Sequence, residues 1–202
     1  MDLGLVKVRS ALGAALAWPR WVRAGFAMPA PRGVKWKVLR RYTKPGGTWI
    51  ESGTYLGSTT RYLARESIRV FTIEPSDALA GRATRLLARR RNIEVVHGLS
   101  EVELPLILQR VEGPTYFWLD GHASGGFTYS GPLVTPIREE LAAIESAMER
   151  LDSVSVFVDD WRGFGSSDGE DGAYPSRYEL IDWARRNGLR WTVEMDIFVA
   201  WR

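Results

Sequence analysis

The chain has 202 residues, 45% of them hydrophobic and 25% charged, which fits one globular domain and excludes a fibrous, collagenous or wholly disordered chain. It contains no cysteine and two histidines, so a disulfide scaffold, a cysteine nucleophile and a thiolate zinc site are ruled out, and any metal must be held mainly by carboxylates. The net charge is +3, but residues 1–41 carry nine Lys/Arg against Asp2 alone, which is +8, leaving −5 for the remainder.

That division separates a basic N-terminal arm, residues 1–41, from a domain spanning 42–202. The arm's charge suits phosphates, anionic lipid or an acidic partner. The body lacks the long basic stripe of a dedicated nucleic-acid binder, and no nucleic-acid partner is expected. The longest apolar run, Ala11–Trp18, has eight residues against the ~20 of a membrane span. No span is therefore expected, and the protein is read as soluble and cytoplasmic. Lys7 and Arg9 before this run faintly imitate a signal peptide. The spacing of Leu5, Val8, Leu12, Ala15 and Leu16 reads more simply as an amphipathic helix ending before Pro19. Such a helix covers the body or docks a second subunit, so the arm is expected to serve substrate access or a homo-oligomer.

From Thr48 onward, short segments rich in β-branched and aromatic residues alternate with helical stretches, the pattern of a mostly parallel sheet covered on both faces. Strands are predicted at Thr48–Ser52, Val70–Glu74, Ile93–His97, Thr115–Asp120 and Val154–Asp159. Ser100 with Glu103, and Ser176 with Glu179, have the spacing of capping boxes, and Pro136 marks another helix start. Ile137, Leu141, Ile144, Met148 and Leu151 form one apolar stripe suited to packing on the sheet. The cluster Arg85–Arg91 reads as a solvated helix end. A helix from about Arg177 to Asn187 leads to Arg190–Met195 and at once to Ile197–Trp201, an antiparallel hairpin that brings the strand count to seven.

Open α/β sheets bind ligands at the carboxyl ends of their strands, and these ends are polar. The first continues as Glu51-Ser52-Gly53-Thr54-Tyr55-Leu56-Gly57-Ser58, where two glycines allow a tight turn beside a ligand. A P-loop is excluded because no lysine follows Gly57, and a GxGxxG loop is absent. The second strand ends in Glu74, 21 residues after Gly53, a separation suited to a ribose diol, with helix capping as an equal reading. The fourth ends in Asp120-Gly121-His122 and the fifth in Asp159-Asp160. Three carboxylates at adjacent strand ends repel unless a cation or proton resides there, and an oxygen-only site suits Mg²⁺; capping of loops by these aspartates is the alternative. His122, two residues beyond Asp120, is the candidate general base. His97 lies beside a ligand or in a turn.

Together these segments resemble the class I S-adenosylmethionine-dependent methyltransferases, over Val34 to Arg202. Glu51–Gly57 is similar to their first motif and Ile73-Glu74 to their second. Phe117–Gly126, Thr135–Leu141, Val158–Asp160 and Tyr174–Ser176 resemble a bacterial branch of such proteins, and the carboxylates resemble those of metal-dependent O-methyltransferases of the catechol and macrocin types. The resemblance implies an α/β Rossmann-like fold with a seven-stranded sheet in the order 3-2-1-4-5-7-6. It implies S-adenosylmethionine on Glu51, Ser52, Gly53, Thr54, Tyr55, Gly57, Ser58, Glu74, Gly98, Leu99, Ser100 and Asp120, and Mg²⁺ on Asp120, Asp159 and Asp160, with His122 and Asp120 catalytic. Leu99 departs from the family, which commonly carries an aspartate near the adenine. The expected function is O-methylation of a hydroxylated small molecule, sugar-like or polyketide-like. Metal-dependent hydrolysis and a non-catalytic binding module on the same fold are the competing readings.

Overall fold

A computed structural model describes residues 17–120, 135–165 and 174–202. Seven strands form one sheet: β1 (Thr48–Ser52), β2 (Arg69–Glu74), β3 (Ile93–His97), β4 (Thr115–Leu119), β5 (Val154–Val158), β6 (Arg190–Glu194) and β7 (Ile197–Trp201). The helices are α1 (Arg32–Arg41), α2 (Ser58–Leu63), α3 (Asp77–Leu87), α4 (Ser100–Leu108), α5 (Ile137–Ala147) and α6 (Arg177–Arg186), and residues 17–23 are helical as well. The strand order is β3-β2-β1-β4-β5-β7-β6, as the resemblance implies. The first five strands run parallel, whereas β7 is antiparallel to both β5 and β6.

Every residue of β1, β4 and β5 is buried, because successive side chains alternate between two covered faces. On one face Ile50, Phe71, Ile73, Phe117, Leu119, Val156 and Phe198 pack with α4, α5 and α6, and the stripe predicted from Ile137 to Leu151 belongs to this core. On the other, Trp49, Val70, Tyr116, Trp118, Phe157 and Val199 pack beneath Val38 and Leu39 of α1 and Leu63 of α2. Residues 32–41 are therefore built into the body, although charge alone groups them with the arm.

The helix ends follow local chemistry in one predicted case and not in another. Ser176 and Glu179 form the expected capping box of α6. Ser100 does not cap α4: Leu99 occupies the cap position without a side-chain bond, and Ser100 is the first helical residue. Pro136 sits at the cap of α5, one residue before the helix begins. Since β1 connects outward to β2 and β4 lies on its opposite side, the chain reverses direction across the sheet between β1 and β4, where such folds open a crevice at the carboxyl ends.

Candidate active site at the strand ends

The β1–α2 turn is shaped by three left-handed residues, Gly53 (φ 89°), Tyr55 (φ 46°) and Gly57 (φ 66°). Gly53 is suited to its conformation by lacking a Cβ. A Cβ on Gly57 would approach Leu87 Cδ1 to 3.3 Å. The turn is tied to β2 at several points. The amides of Gly53 and Thr54 both donate to the Ile73 carbonyl, at 3.0 and 3.2 Å. Thr54 Oγ1 lies 2.6 Å from Thr72 Oγ1, and Ser58 Oγ accepts from Arg32 of α1.

Glu74 holds two strand ends together. Its carboxylate accepts from the Tyr55 amide at 2.8 Å and from the Ser76 amide at 3.1 Å. A carboxylate has about four acceptor positions, so these bonds leave capacity for hydroxyl donors. Beyond β3, the Gly98 amide donates to the Glu74 carbonyl at 3.2 Å. The Glu103 side chain lies over Gly98, where an added Cβ would come within 2.6 Å of Glu103 Cγ and require that side chain to move. Leu99 and Ser100 follow at the head of α4, and His97 is exposed at the end of edge strand β3.

Glu51 lies deeper than its neighbours in the motif. It is buried and accepts from Thr60 Oγ1 at 2.5 Å and Thr72 Oγ1 at 2.7 Å. Burial pushes its carboxyl up to about 8, against the lowering effect of the two threonines, with Asp120 and Glu74 adding repulsion. Glu51 thus packs under the turn as an internal anchor. Ser52 Oγ is buried with no hydrogen-bond partner among the described residues.

The carboxyl ends of β4 and β5 are adjacent. The Asp120 amide donates to Ser52 O at 3.2 Å and the Asp159 amide to Leu119 O at 3.1 Å. Asp159 is buried, and the Lys35 ammonium of α1 spans both its oxygens at 2.5 and 2.6 Å, while the Asp160 amide donates to Oδ1 at 2.8 Å. Burial raises the Asp159 carboxyl above its usual range and Lys35 opposes that shift. Asp160 adopts a left-handed conformation, φ 54°, with Arg162 Nη1 at 3.0 Å and Lys35 Nζ at 3.7 Å from its Oδ1.

Among the described residues no group of three His, Asp or Glu side chains is placed to hold a metal ion. The expectation of Mg²⁺ on Asp120, Asp159 and Asp160 is therefore not supported. Mg²⁺ needs oxygens at about 2.0–2.1 Å in an octahedron, whereas the Asp159 oxygens face an ammonium and the Asp160 carboxylate is directed to Arg162. The donor set does not fit the ion. His122 lies outside the described residues.

Lys35 is the site residue that sequence reasoning missed. Its signal was present: with Val34, Val38 and Leu39 it occupies the buried side of α1, the spacing of one helical face. A lysine on an apolar stripe demands a buried anionic partner. The basic character of residues 1–41 hid that demand among eight other cations.

The chain matches no protein-family model and no curated protein sequence. Solved structures do share its fold. A protein of Streptococcus mutans described as a methyltransferase, solved in complex with SAH, aligns with a TM-score of 0.51 at 14% identity, covering 87% of this chain and 98% of that one. The 23S rRNA methyltransferase ErmE aligns with a TM-score of 0.52 at 15% identity, over 87% of this chain and 68% of that one. Precorrin-6y C5,15-methyltransferase of Geobacter metallireducens gives 0.52 at 14% identity, over 87% and 90%. The fold is that of the class I S-adenosylmethionine-dependent methyltransferases. These likenesses concern fold alone.

Proposed function

We propose that this protein is an S-adenosylmethionine-dependent O-methyltransferase acting on a hydroxylated small molecule. One observation carries the cofactor reading: in this strand order, the Glu74 carboxylate accepts from the amides of Tyr55, in the glycine turn after β1, and of Ser76, at the start of α3. The residues suit the cofactor. Gly53 allows close backbone approach, the Glu74 carboxylate retains acceptor capacity for a ribose diol, and Ser52 Oγ, buried with no hydrogen-bond partner among the described residues, lies at the end of β1. Ser58, Leu99, Ser100 and Asp120 complete the proposed contacts, with Leu99 offering an apolar face to the adenine.

When bound, S-adenosylmethionine supplies an electrophilic methyl group on sulfur. The chain supplies the orientation of donor and acceptor, which is worth several kcal/mol of barrier or more. Asp120 at the end of β4 orients the acceptor hydroxyl, and His122 accepts its proton. Metal-dependent hydrolysis loses support because Lys35 faces the carboxylate that would have bound the ion.

Titration calorimetry with S-adenosylmethionine and S-adenosylhomocysteine tests the reading. We expect wild type to bind both, and Glu74→Ala to weaken binding by about tenfold or more, ~1.4 kcal/mol. No binding at millimolar ligand would reject the function and leave the non-catalytic reading. With a methyl-labelled donor and a panel of hydroxylated acceptors, His122→Ala should lower turnover by ~10²–10⁴ while cofactor affinity is kept.

A further inference from the structure

We propose that the Lys35 ammonium is the resident cation of the carboxylates at the ends of β4 and β5, and that the protein consequently binds no divalent metal at Asp159. Lys35 Nζ lies 2.5 and 2.6 Å from the two Asp159 oxygens and 3.7 Å from Asp160 Oδ1. An ammonium has three donors and no acceptor. Two serve Asp159, and Asp160 Oδ1 lies within ion-pair distance at 3.7 Å. Lys35 thereby supplies the positive charge that clustered carboxylates require.

The arrangement is built rather than incidental. The Lys35 side chain is 10% exposed, so it is not a surface lysine that has folded over an open cleft. Its helix is fixed on both sides. Val38 and Leu39 are buried in the core beneath α1. Trp36 stacks on Tyr62 with ring centres 4.7 Å apart, and the Tyr62 hydroxyl donates to the Trp36 carbonyl at 2.9 Å. Arg32 reaches Ser58 at the head of α2. Swinging Lys35 away to admit an ion would leave a buried charge without its partner. Arg162, which pairs with Asp160 and with buried Asp196, supplies the second positive charge.

The exclusion of metal rests on this geometry alone. Its consequence for catalysis rests on the methyltransferase reading: without an ion to chelate, an acceptor need not present two neighbouring oxygens.

Mn²⁺ titration, followed by calorimetry and by water-proton relaxation at neutral pH, separates the alternatives. We expect wild type and Lys35→Arg to show no saturable Mn²⁺ binding at millimolar concentrations. Lys35→Met should gain affinity by about tenfold or more, and Lys35→Met/Asp159→Asn should lose that gain. Saturable binding to wild type that Asp159→Asn removes would overturn the proposal, as would a folded Lys35→Met that gains nothing. Should Lys35→Met fail to fold by circular dichroism, wild type, Lys35→Arg and Asp159→Asn decide: equal inertness toward Mn²⁺ supports the assignment, and saturable binding to either of the first two overturns it. S-adenosylhomocysteine is titrated into the same samples. A protein that binds neither ligand keeps Lys35 as its cation and loses the methyltransferase reading, whereas one that binds both loses the cation assignment alone.

Discussion

Glu51 shows how one buried carboxyl sets a pH dependence for the whole chain. Burial raises it to about 8, whereas in the unfolded chain it titrates near 4.3. Between those values the native state holds a proton that the unfolded state has released, so stability falls as pH rises through this window, by up to ~1.4 kcal/mol per pH unit. Asp159 is shifted in the same direction by burial, against the lowering effect of Lys35. Glu51→Gln removes one contribution while keeping an oxygen for Thr60 and Thr72. Chemical denaturation at pH 5, 6.5 and 8 should therefore give a shallower decline for Glu51→Gln than for wild type. Parallel lines would show that Glu51 is ionised in the folded protein.

At the scale of elements, α6 states its own boundary. Glu179 accepts from the Ser176 amide at 2.7 Å, and its side chain also receives Arg138 Nε of α5 at 2.9 Å. Ser176→Ala should cost ~1 kcal/mol, the usual worth of such a cap. Glu179→Ala should cost more, because it also removes the link to α5, and neither variant should alter cofactor affinity. Thermal unfolding gives the two costs, and equal costs would mean that the Arg138 contact is silent. The cap was legible because Ser176 and Glu179 act within one turn. The same spacing at Ser100 and Glu103 misled, since Glu103 is drawn against Gly98 and Leu99 takes the cap. Position in the fold overrode the local pattern.

For the molecule as a whole, the strands were readable because β-branched and aromatic runs stop at glycine, proline and acidic residues. All seven predicted strands are present, with ends shifted by no more than one residue. Their order across the sheet was not contained in that pattern and came from family resemblance. Two covered faces were expected from the pattern; what the charge distribution concealed was that residues 32–41 supply part of the second cover. Trp49, Tyr116, Phe157 and Val199 lie beneath Val38 and Leu39, so the basic segment that looked peripheral completes a core. Deleting residues 1–41 should expose that face and give an aggregating protein by size-exclusion chromatography. A monodisperse, cooperatively unfolding product would show that 42–202 is self-sufficient.

Because Lys35 and Asp159 are 124 residues apart, the order of synthesis matters to this pair. During translation α1 emerges with its apolar side and its lysine long before the strand that receives them, and contacts of such separation form slowly. The strand-end cleft then acquires its native charge balance only once β5 is in place, and until β4, β5 and β7 follow, the nascent helix has only part of its core, including Trp49 and the residues of α2, beneath its apolar side. Pulse-labelled hydrogen exchange during refolding should show the amides of Val34–Leu39 protected later than those of β1 and β4.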